Sequence, residues 1–357
     1  MLTGNKGEWS EIYAFLKLLG DKILYSGDAN LNIDKELFYP IIKIIRNENN
    51  IKLEFTIFDD SVIITGGDER KEFLIEEFKE FAQLLLQRIG VSNKVFSVPE
   101  VEDFMNEIYC KTLKAKSDSK SDIFIVIHDK RTNAIHELGF SIKSKLGAKS
   151  TLLNAAGTTN FIYSIEHFNP TFEQLTLIND INTKSKIKDR IEFIKNLGGV
   201  FKFSELENQN FKNNLVLVDS LLPNILAEIL IQFFTTSNNT LADLTESIDK
   251  SNPLHYDQYA EHKFYNYKIK KFLTDVALGM TPSKVWSGVY DATGGYLIVK
   301  KTGEIFCYHI YNKNQFEDYL FNNTKLETAS STRHQFVKIY DENGKYFFKL
   351  NLQIRFK

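Results

Sequence analysis

S-D-I-F-I-V-I-H-D (Ser121–Asp129), K-R-T-N-A-I (Lys130–Ile135) and H-E-L-G-F-S-I-K-S-K (His136–Lys145) form the stretch whose reading decides the fold. Two apolar, β-branched runs flank the polar turn Lys130–Asn133, a pattern that predicts two antiparallel strands joined by a hairpin loop. Side chains alternate across a strand, so Phe140 and Ile142 of the second strand point one way. Ser141 and Lys143 point the other way, with Gly139 and Glu137. Asp122 stands at the mouth of the first strand. A carboxylate there, facing a lysine on the polar side of the next strand, suits metal-assisted phosphodiester cleavage. The acid holds a divalent cation, and the ammonium positions the attacking water or stabilises charge on the phosphate. A solvated hairpin with an ordinary surface Asp and Lys has the same pattern, and spacing alone does not separate the two.

Composition bounds the rest. At 357 residues the chain allows one large domain or two of ordinary size, and 43% hydrophobic with 25% charged residues is the make-up of a globular protein. The net charge of −2 gives no global positive field, so any nucleic-acid contact must come from local patches. Cys110 and Cys307 lie far apart in apolar runs and read as buried free thiols of a reducing compartment. The N-terminus M-L-T-G-N-K-G-E-W has no apolar signal region, and no run approaches the roughly 18 apolar residues of a membrane span, so a cytoplasmic location is expected.

Upstream of the hairpin, Glu8–Leu19 has helical period, with Ile12, Phe15, Leu16 and Leu19 as its apolar stripe and Gly20 as its stop. Glu8 and Glu11 border that stripe. They are either first-turn acids that complement the helix dipole or acids that lean over the sheet and complete a metal site. Leu53–Phe58 and Ser61–Thr65 predict a hairpin through Asp59 and Asp60. Lys71–Ile89 predicts a long helix with Phe73, Leu74, Phe78, Phe81 and Leu85 inside, and Pro99–Leu113 a second, opened by proline. The basic, serine-rich Lys114–Ser121 leads into Asp122, as a solvated linker or as a loop that follows a DNA backbone. Asp118 and Lys145 lie near the site pair without matching it.

Downstream, G-A-K-S (Gly147–Ser150) lacks the glycines of a phosphate loop. Asn160–Ile165 reads as a third strand, and Thr171–Ile178, Lys186–Leu197 and Leu221–Phe234 as helices. The last is nearly all apolar, hence buried or at a dimer interface. Polar composition over Thr235–Pro253 sets a soft boundary, with residues 1–235 as a catalytic core. Residues 236–357 are then a recognition region with a helix at His262–Met280 and strands at Gly295–Lys300, Ile305–Tyr311, Gln335–Tyr340 and Tyr346–Phe356. A single interleaved domain is equally consistent with so weak a boundary.

Several motifs together carry a resemblance. They are N-K-G-E-W-S-E-I-Y (Asn5–Tyr13), S-D-I (Ser121–Ile123), E-L-G-F-S-I-K-S-K-L-G (Glu137–Gly147), W-S-G (Trp286–Gly288), G-G-Y-L-I-V-K (Gly294–Lys300), C-Y-H-I-Y (Cys307–Tyr311) and L-N-L-Q-I-R-F (Leu350–Phe356). Over its full length the chain resembles the HpaII restriction endonuclease family. The resemblance implies an α/β (α+β) fold with a PD-(D/E)xK core, a mixed sheet flanked by helices, and a β-rich C-terminal region. Asp122 then matches the first acid of that core and Lys143 its lysine. Ser141 falls where the second acid belongs, and serine is a weak ligand for Mg²⁺. A carboxylate must come from elsewhere, Glu11 first and Glu8 next. Glu137 shares the face of Ser141 but lies about 13 Å along the strand.

The resemblance further implies a type II restriction endonuclease that makes Mg²⁺-dependent double-strand cuts in DNA at a short palindrome, CCGG. It implies a two-fold homodimer, although some relatives act as monomers, and a cognate DNA methyltransferase in the host. In that scheme Asp122 and Glu11 hold the metal, Lys143 orients the water, and Ser141 hydrogen-bonds within the site. Arg333 in S-S-T-R-H, Lys284 in T-P-S-K, Lys263 and its neighbours to Lys271, and Lys120 beside Asp122 are the candidates for DNA contact. A protein that binds DNA but has lost catalysis is the rival that Ser141 suggests. The histidines (His128, His136, His167, His255, His262, His309 and His334) have no metal-ligand spacing, and no G-x-S-x-G or dinucleotide motif is present. A pure interaction scaffold would rest on Leu221–Phe234 and leave the hairpin unexplained.

Overall fold

The computed structural model describes residues 1–28, 31–48, 51–114 and 120–357. Two compact units divide them: Met1–Ser150, Ala277–Gly279 and Tyr290–Tyr319 form the first, and Thr151–Val276, Met280–Val289 and Leu320–Lys357 the second. The division does not follow the polar stretch after Thr235. Leu241–Ser251 within that stretch is a helix, capped by the Thr240 side chain, whose Leu241, Leu244 and Ile248 are buried. Most of its polar residues form an outer face, although Thr245 is buried, and no linker lies there.

In chain order the elements are α1 (Lys6–Asp21), β1 (Ile23–Gly27), β2 (Ile33–Glu48), β3 (Ile51–Ile57), β4 (Ser61–Gly66), β5 (Glu69–Leu74), α2 (Ile75–Val91), α3 (Pro99–Glu107), β6 (Ile123–Asp129) and β7 (Ala134–Ser144). There follow β8 (Thr151–Leu153), β9 (Asn160–Glu166), α4 (Phe172–Asp180), α5 (Lys186–Asn196), β10 (Val200–Leu206), α6 (Gln209–Val218), α7 (Leu222–Thr235), α8 (Leu241–Ser251) and α9 (Phe264–Leu278). The chain ends with β11 (Gly295–Val299), β12 (Ile305–His309), α10 (Lys313–Asn323), β13 (Thr324–Leu326), α11 (Ser331–His334), β14 (Ile339–Glu342), β15 (Lys345–Asn351) and β16 (Ile354–Phe356). The fold is mixed α and β.

The hairpin of β6 and β7 lies inside the nine-stranded sheet of the first unit, order β1-β12-β11-β7-β6-β2-β3-β4-β5. β11 runs parallel to β7, with Tyr296 in register with Ser141 and Ile298 with Lys143. β1 pairs with β12 on one side and with the long β2 on the other, which closes six of these strands into a ring. Asn5 caps α1 and shares a capping box with Glu8, a device worth about 1 kcal/mol. The α1 stripe (Trp9, Ile12, Phe15, Leu16, Leu19) joins Phe55, Ile125 and Phe140 in one core.

Three boundaries differ from the sequence expectation. Gly20 lies inside α1, where a Cβ would stand 2.7 Å from Lys79 Cγ of α2, and the helix turns out instead at Lys22, at φ 61°. The helix expected from Lys71 starts at Ile75, because Glu69–Leu74 pairs with β4 as a further strand and leaves Leu74 61% exposed. The proline-led α3 ends at Glu107, and Tyr109 beyond it takes φ 63°.

In the second unit, β10-β9-β15-β14 form a four-stranded sheet and β13-β16-β8 a three-stranded one. The Asn160–Ile165 strand thus belongs to a sheet of its own unit rather than to that of the hairpin. α7 is the central buried helix, with Leu222, Ile225, Leu226, Ile229, Leu230 and Phe234 almost wholly covered. Cys110 and Cys307 are free and buried. No single helix among the described residues is long and apolar enough to cross a membrane.

Candidate active site

Asp122 enters β6 by donating its N–H to the Phe140 carbonyl at 2.8 Å. Its Oδ2 accepts the Ile142 N–H at 2.6 Å and the Ser141 hydroxyl at 3.1 Å. The Lys143 ammonium donates to Ser141 Oγ at 2.9 Å. Lys143, Ser141 and Asp122 thus form one line of hydrogen bonds. Ser141 is 3% exposed, so this face is not a solvated surface. A hydroxyl suits the middle position because it donates to one neighbour while accepting from the other, which a carboxylate cannot do.

α1 separates the two glutamates that the sequence left together. Glu8 turns back to its own helix end: its Oε2 accepts the Asn5 N–H at 2.7 Å and its Oε1 pairs with Lys114 at 2.9 Å. These contacts hold its carboxyl below the ordinary range. Glu11, one turn on, faces the site. Burial, and then the charge of Asp122, push its carboxyl up to about 8, while Lys114, Arg46 and Lys143 pull it back. Burial also lowers the Lys143 ammonium, against the opposing pull of Asp122 and Glu11. The Lys143 Nζ sits 4.9 Å from the ring centroid of Tyr296, its support on the neighbouring strand.

Asp291 and Tyr296 are the parts of the site that reading the sequence missed. The Lys120 N–H donates to Asp291 Oδ2 at 3.3 Å, and the Ser121 hydroxyl to the Asp291 carbonyl at 2.7 Å. Next along, Gly139 N–H donates to Thr293 Oγ1 at 3.1 Å and its carbonyl accepts Gly294 N–H at 2.7 Å. A Cβ on Gly139 would meet Ser121 Oγ at 2.3 Å, so this close seam requires glycine. The signal was present in G-G-Y-L-I-V-K, but its partners lie some 150 residues away.

Of the other candidates, Lys120 is at the site, its ammonium lowered first by burial and then by Lys143. Arg333, Lys284 and Lys263 are exposed residues of the second unit, and Lys263 pairs with Asp249 at 3.3 Å. Farther along α9, Lys268 and Lys271 are matched by Asp219 and Asp275. Glu137 is exposed, and Lys145 lies beside Lys300 and Lys301. Asp118 falls outside the described residues.

Among the described residues no three His, Cys, Asp or Glu side chains gather around one point. Two carboxylates, Asp122 and Glu11, bear on each other instead, and that is a donor set for Mg²⁺, which commonly takes one or two carboxylates and completes its shell with water and substrate phosphate. A cation bound there would offset both the burial and the Asp122 charge that raise the Glu11 carboxyl.

Comparison with known proteins identifies the family. The model of the HpaII restriction endonuclease family matches residues 5–356. The type II restriction enzyme HpaII of Haemophilus parainfluenzae is 47% identical over 358 residues, which covers 99% of this chain and 98% of that enzyme. No solved structure matches significantly. A match of this extent, taken with an acid, a lysine and a helix glutamate converging on one hairpin, places the chain in the HpaII restriction endonuclease family.

Proposed function

We propose that this type II site-specific deoxyribonuclease cuts both strands of DNA at CCGG, on a PD-(D/E)xK core, with Asp122 and Glu11 as ligands for Mg²⁺. The observation that carries the site is the Lys143–Ser141–Asp122 line with the half-buried Glu11 acting on the same Asp122. Type II restriction enzymes generally use a divalent metal, and when bound here Mg²⁺ supplies Lewis-acid polarisation of the scissile phosphate. Ile142 N–H and Ser141 aim the Asp122 carboxylate. Lys143, desolvated and braced by Ser141 and Tyr296, orients the attacking water and meets the charge that builds on the phosphate as the P–O bond to the leaving oxygen breaks. Glu11 would hold the cation as its carboxylate, after losing its proton to solvent. A two-fold homodimer matches the two strands of a palindrome, and a cognate methyltransferase in the host cytoplasm completes the scheme.

The test is incubation with plasmid DNA in Mg²⁺ and in EDTA, followed by sequencing of the ends, for the wild type and for Lys143→Ala. Discrete Mg²⁺-dependent fragments sharing CCGG ends are expected from the wild type. The variant should bind DNA and not cut it, because its loss lies in the transition state. A variant that cuts at the wild-type rate removes Lys143 from the mechanism. Ser141 in place of the second acid favours one other reading, a binding protein with a dead site. Intact plasmid despite tight wild-type binding would establish that one.

A further inference from the structure

We infer that a basic cleft in the second unit is a seat for the DNA phosphate backbone. The inference rests on the DNA substrate proposed above, and adds a contact surface made of residues other than those of the hairpin. The cleft encloses about 460 Å³ and is lined by Lys186, Arg190, Ser331, Thr332, Lys338 and Tyr340, among others. An adjoining cavity of about 210 Å³ shares Lys186 and Ser331 with it and adds Lys184 and Lys188. Neither cavity has a carboxylate among its described lining residues.

The cations here are unequal. Lys349 is matched by Glu207 at 2.8 Å, and Lys188 donates to the Thr236 carbonyl at 2.6 Å. Arg190, 6% exposed, gives its terminal nitrogens to the carbonyls of Val337, Asn179 and Ile181, and its Nε is buried with no hydrogen-bond partner among the described residues. Those carbonyls carry no charge to cancel its own, and burial lowers its pKa against the opposing pull of Asp180. The ammonium groups of Lys184, Lys186 and Lys338 make no ion pair or hydrogen bond among the described residues, which leaves three cations open to a ligand. Unpaired cations beside hydroxyl donors suit an acceptor-only anion with spread charge, and a phosphodiester is that group.

The cleft also adjoins the candidate base reader. Ser330 caps the short α11, which carries Ser331 and Thr332 into the cleft wall and Arg333 on its exposed side. Phosphate contacts fix register and base contacts specify sequence, and this one turn supplies groups for both.

The experiment compares the wild type, a Lys184→Ala/Lys186→Ala/Lys338→Ala variant, and the same three positions changed to Arg. Binding to a CCGG duplex and to an unrelated duplex is measured between about 50 and 200 mM salt, with unfolding curves to establish that each protein is folded. The alanine variant should weaken equally on both duplexes. Its plot of log affinity against log salt should flatten by about 0.9 for each phosphate that is no longer neutralised, and the arginine variant should restore it. An unchanged slope and affinity would overturn the seat, and so would a loss confined to the CCGG duplex. A wild type that neither binds nor cuts DNA would instead overturn the endonuclease reading itself, so the two failures are distinct.

Discussion

Exchanging Glu11 for Gln removes a carboxyl whose ionisation the fold resists, and the consequence can be worked out from its surroundings. Its pKa rises from 4.5 to about 8, first through burial and then through Asp122. In the unfolded chain the group ionises around pH 4.5, but in the folded chain only near 8. Between those values the folded state holds a proton that the unfolded state has lost. The stabilising contribution is therefore fully present below pH 4.5 and is lost as pH rises through 8. At about 1.4 kcal/mol per pKa unit the gap reaches roughly 3 kcal/mol at pH 7, and partial solvent screening brings it to about 2–3 kcal/mol. Glutamine does not ionise and escapes this loss. Urea unfolding in EDTA should find Glu11→Gln more stable than the wild type at pH 7 by that margin, with the difference closing towards pH 4.5 and level above 8. Adding Mg²⁺ should roughly cancel the difference, since a ligand at 100 times its Kd stabilises the wild type by about 2.7 kcal/mol and the variant has lost half of the carboxylate pair. Parallel pH curves for the two proteins would refute the burial of Glu11, and equal stabilisation by Mg²⁺ would refute its role as a ligand.

Three further outcomes are expected. Tyr296→Leu should slow single-turnover cleavage about 3- to 30-fold, the range of one desolvated cation–π contact, while Tyr296→Phe keeps the rate; equal rates in all three enzymes would dismiss the ring as a support for Lys143. His309 is fully buried against Tyr39, and burial lowers its pKa from 6.5 to about 4, so the unfolded chain takes up the proton first as pH falls. That removes about 3 kcal/mol of stability between pH 6.5 and 4, and thermal unfolding should find this acid limb flattened in His309→Phe. Gly295 holds φ 99°, and a Cβ would stand 2.1 Å from the Tyr308 carbonyl oxygen. Gly295→Ala should therefore cost about 3 kcal/mol or more in urea unfolding, and a loss under 1 kcal/mol would contradict the strain assigned there.

Strictly local signals were legible. Alternation in Phe140–Lys143, the polar turn before Ala134 and the stripe on α1 each depend on residues within one element, and each element formed where its period placed it. What escaped depends on partners distant in sequence. Glu69–Leu74 continues directly into a helical pattern, and its pairing with β4 overrides that pattern. Gly20 resembled a helix stop, but the approach of Lys79 explains it. Glu8 and Glu11 are three residues apart on one helix and equivalent by pattern, and the capture of Glu8 by the Asn5 N–H and Lys114 is what distinguishes them. Asp291 and Tyr296 join the site through a parallel strand that arrives after the whole of Thr151–Val276, a separation no window along the chain spans.

The serine at position 141 reads differently once its neighbours are known. A carboxylate there would stand within hydrogen-bond distance of Asp122, where two like charges at about 3 Å cannot both ionise without a cation between them. Ser141 places a neutral bridge in that position, donating to Asp122 and accepting from Lys143, so the strand pair keeps its geometry whether or not a cation is present. The second acid of the proposed site stands instead on α1, where Glu11 answers to the same Asp122 but is held protonated by burial. Near neutral pH Glu11 then adds no charge of its own to the metal-free site. In the proposed mechanism the full negative charge of the site would be present only with Glu11 ionised, its proton lost to solvent and its carboxylate free to hold a cation. On the proposed assignment, moving the acid from strand to helix separates two tasks that an acid-x-Lys strand gives to one residue: Ser141 would maintain the alignment of Lys143, and Glu11 would supply charge.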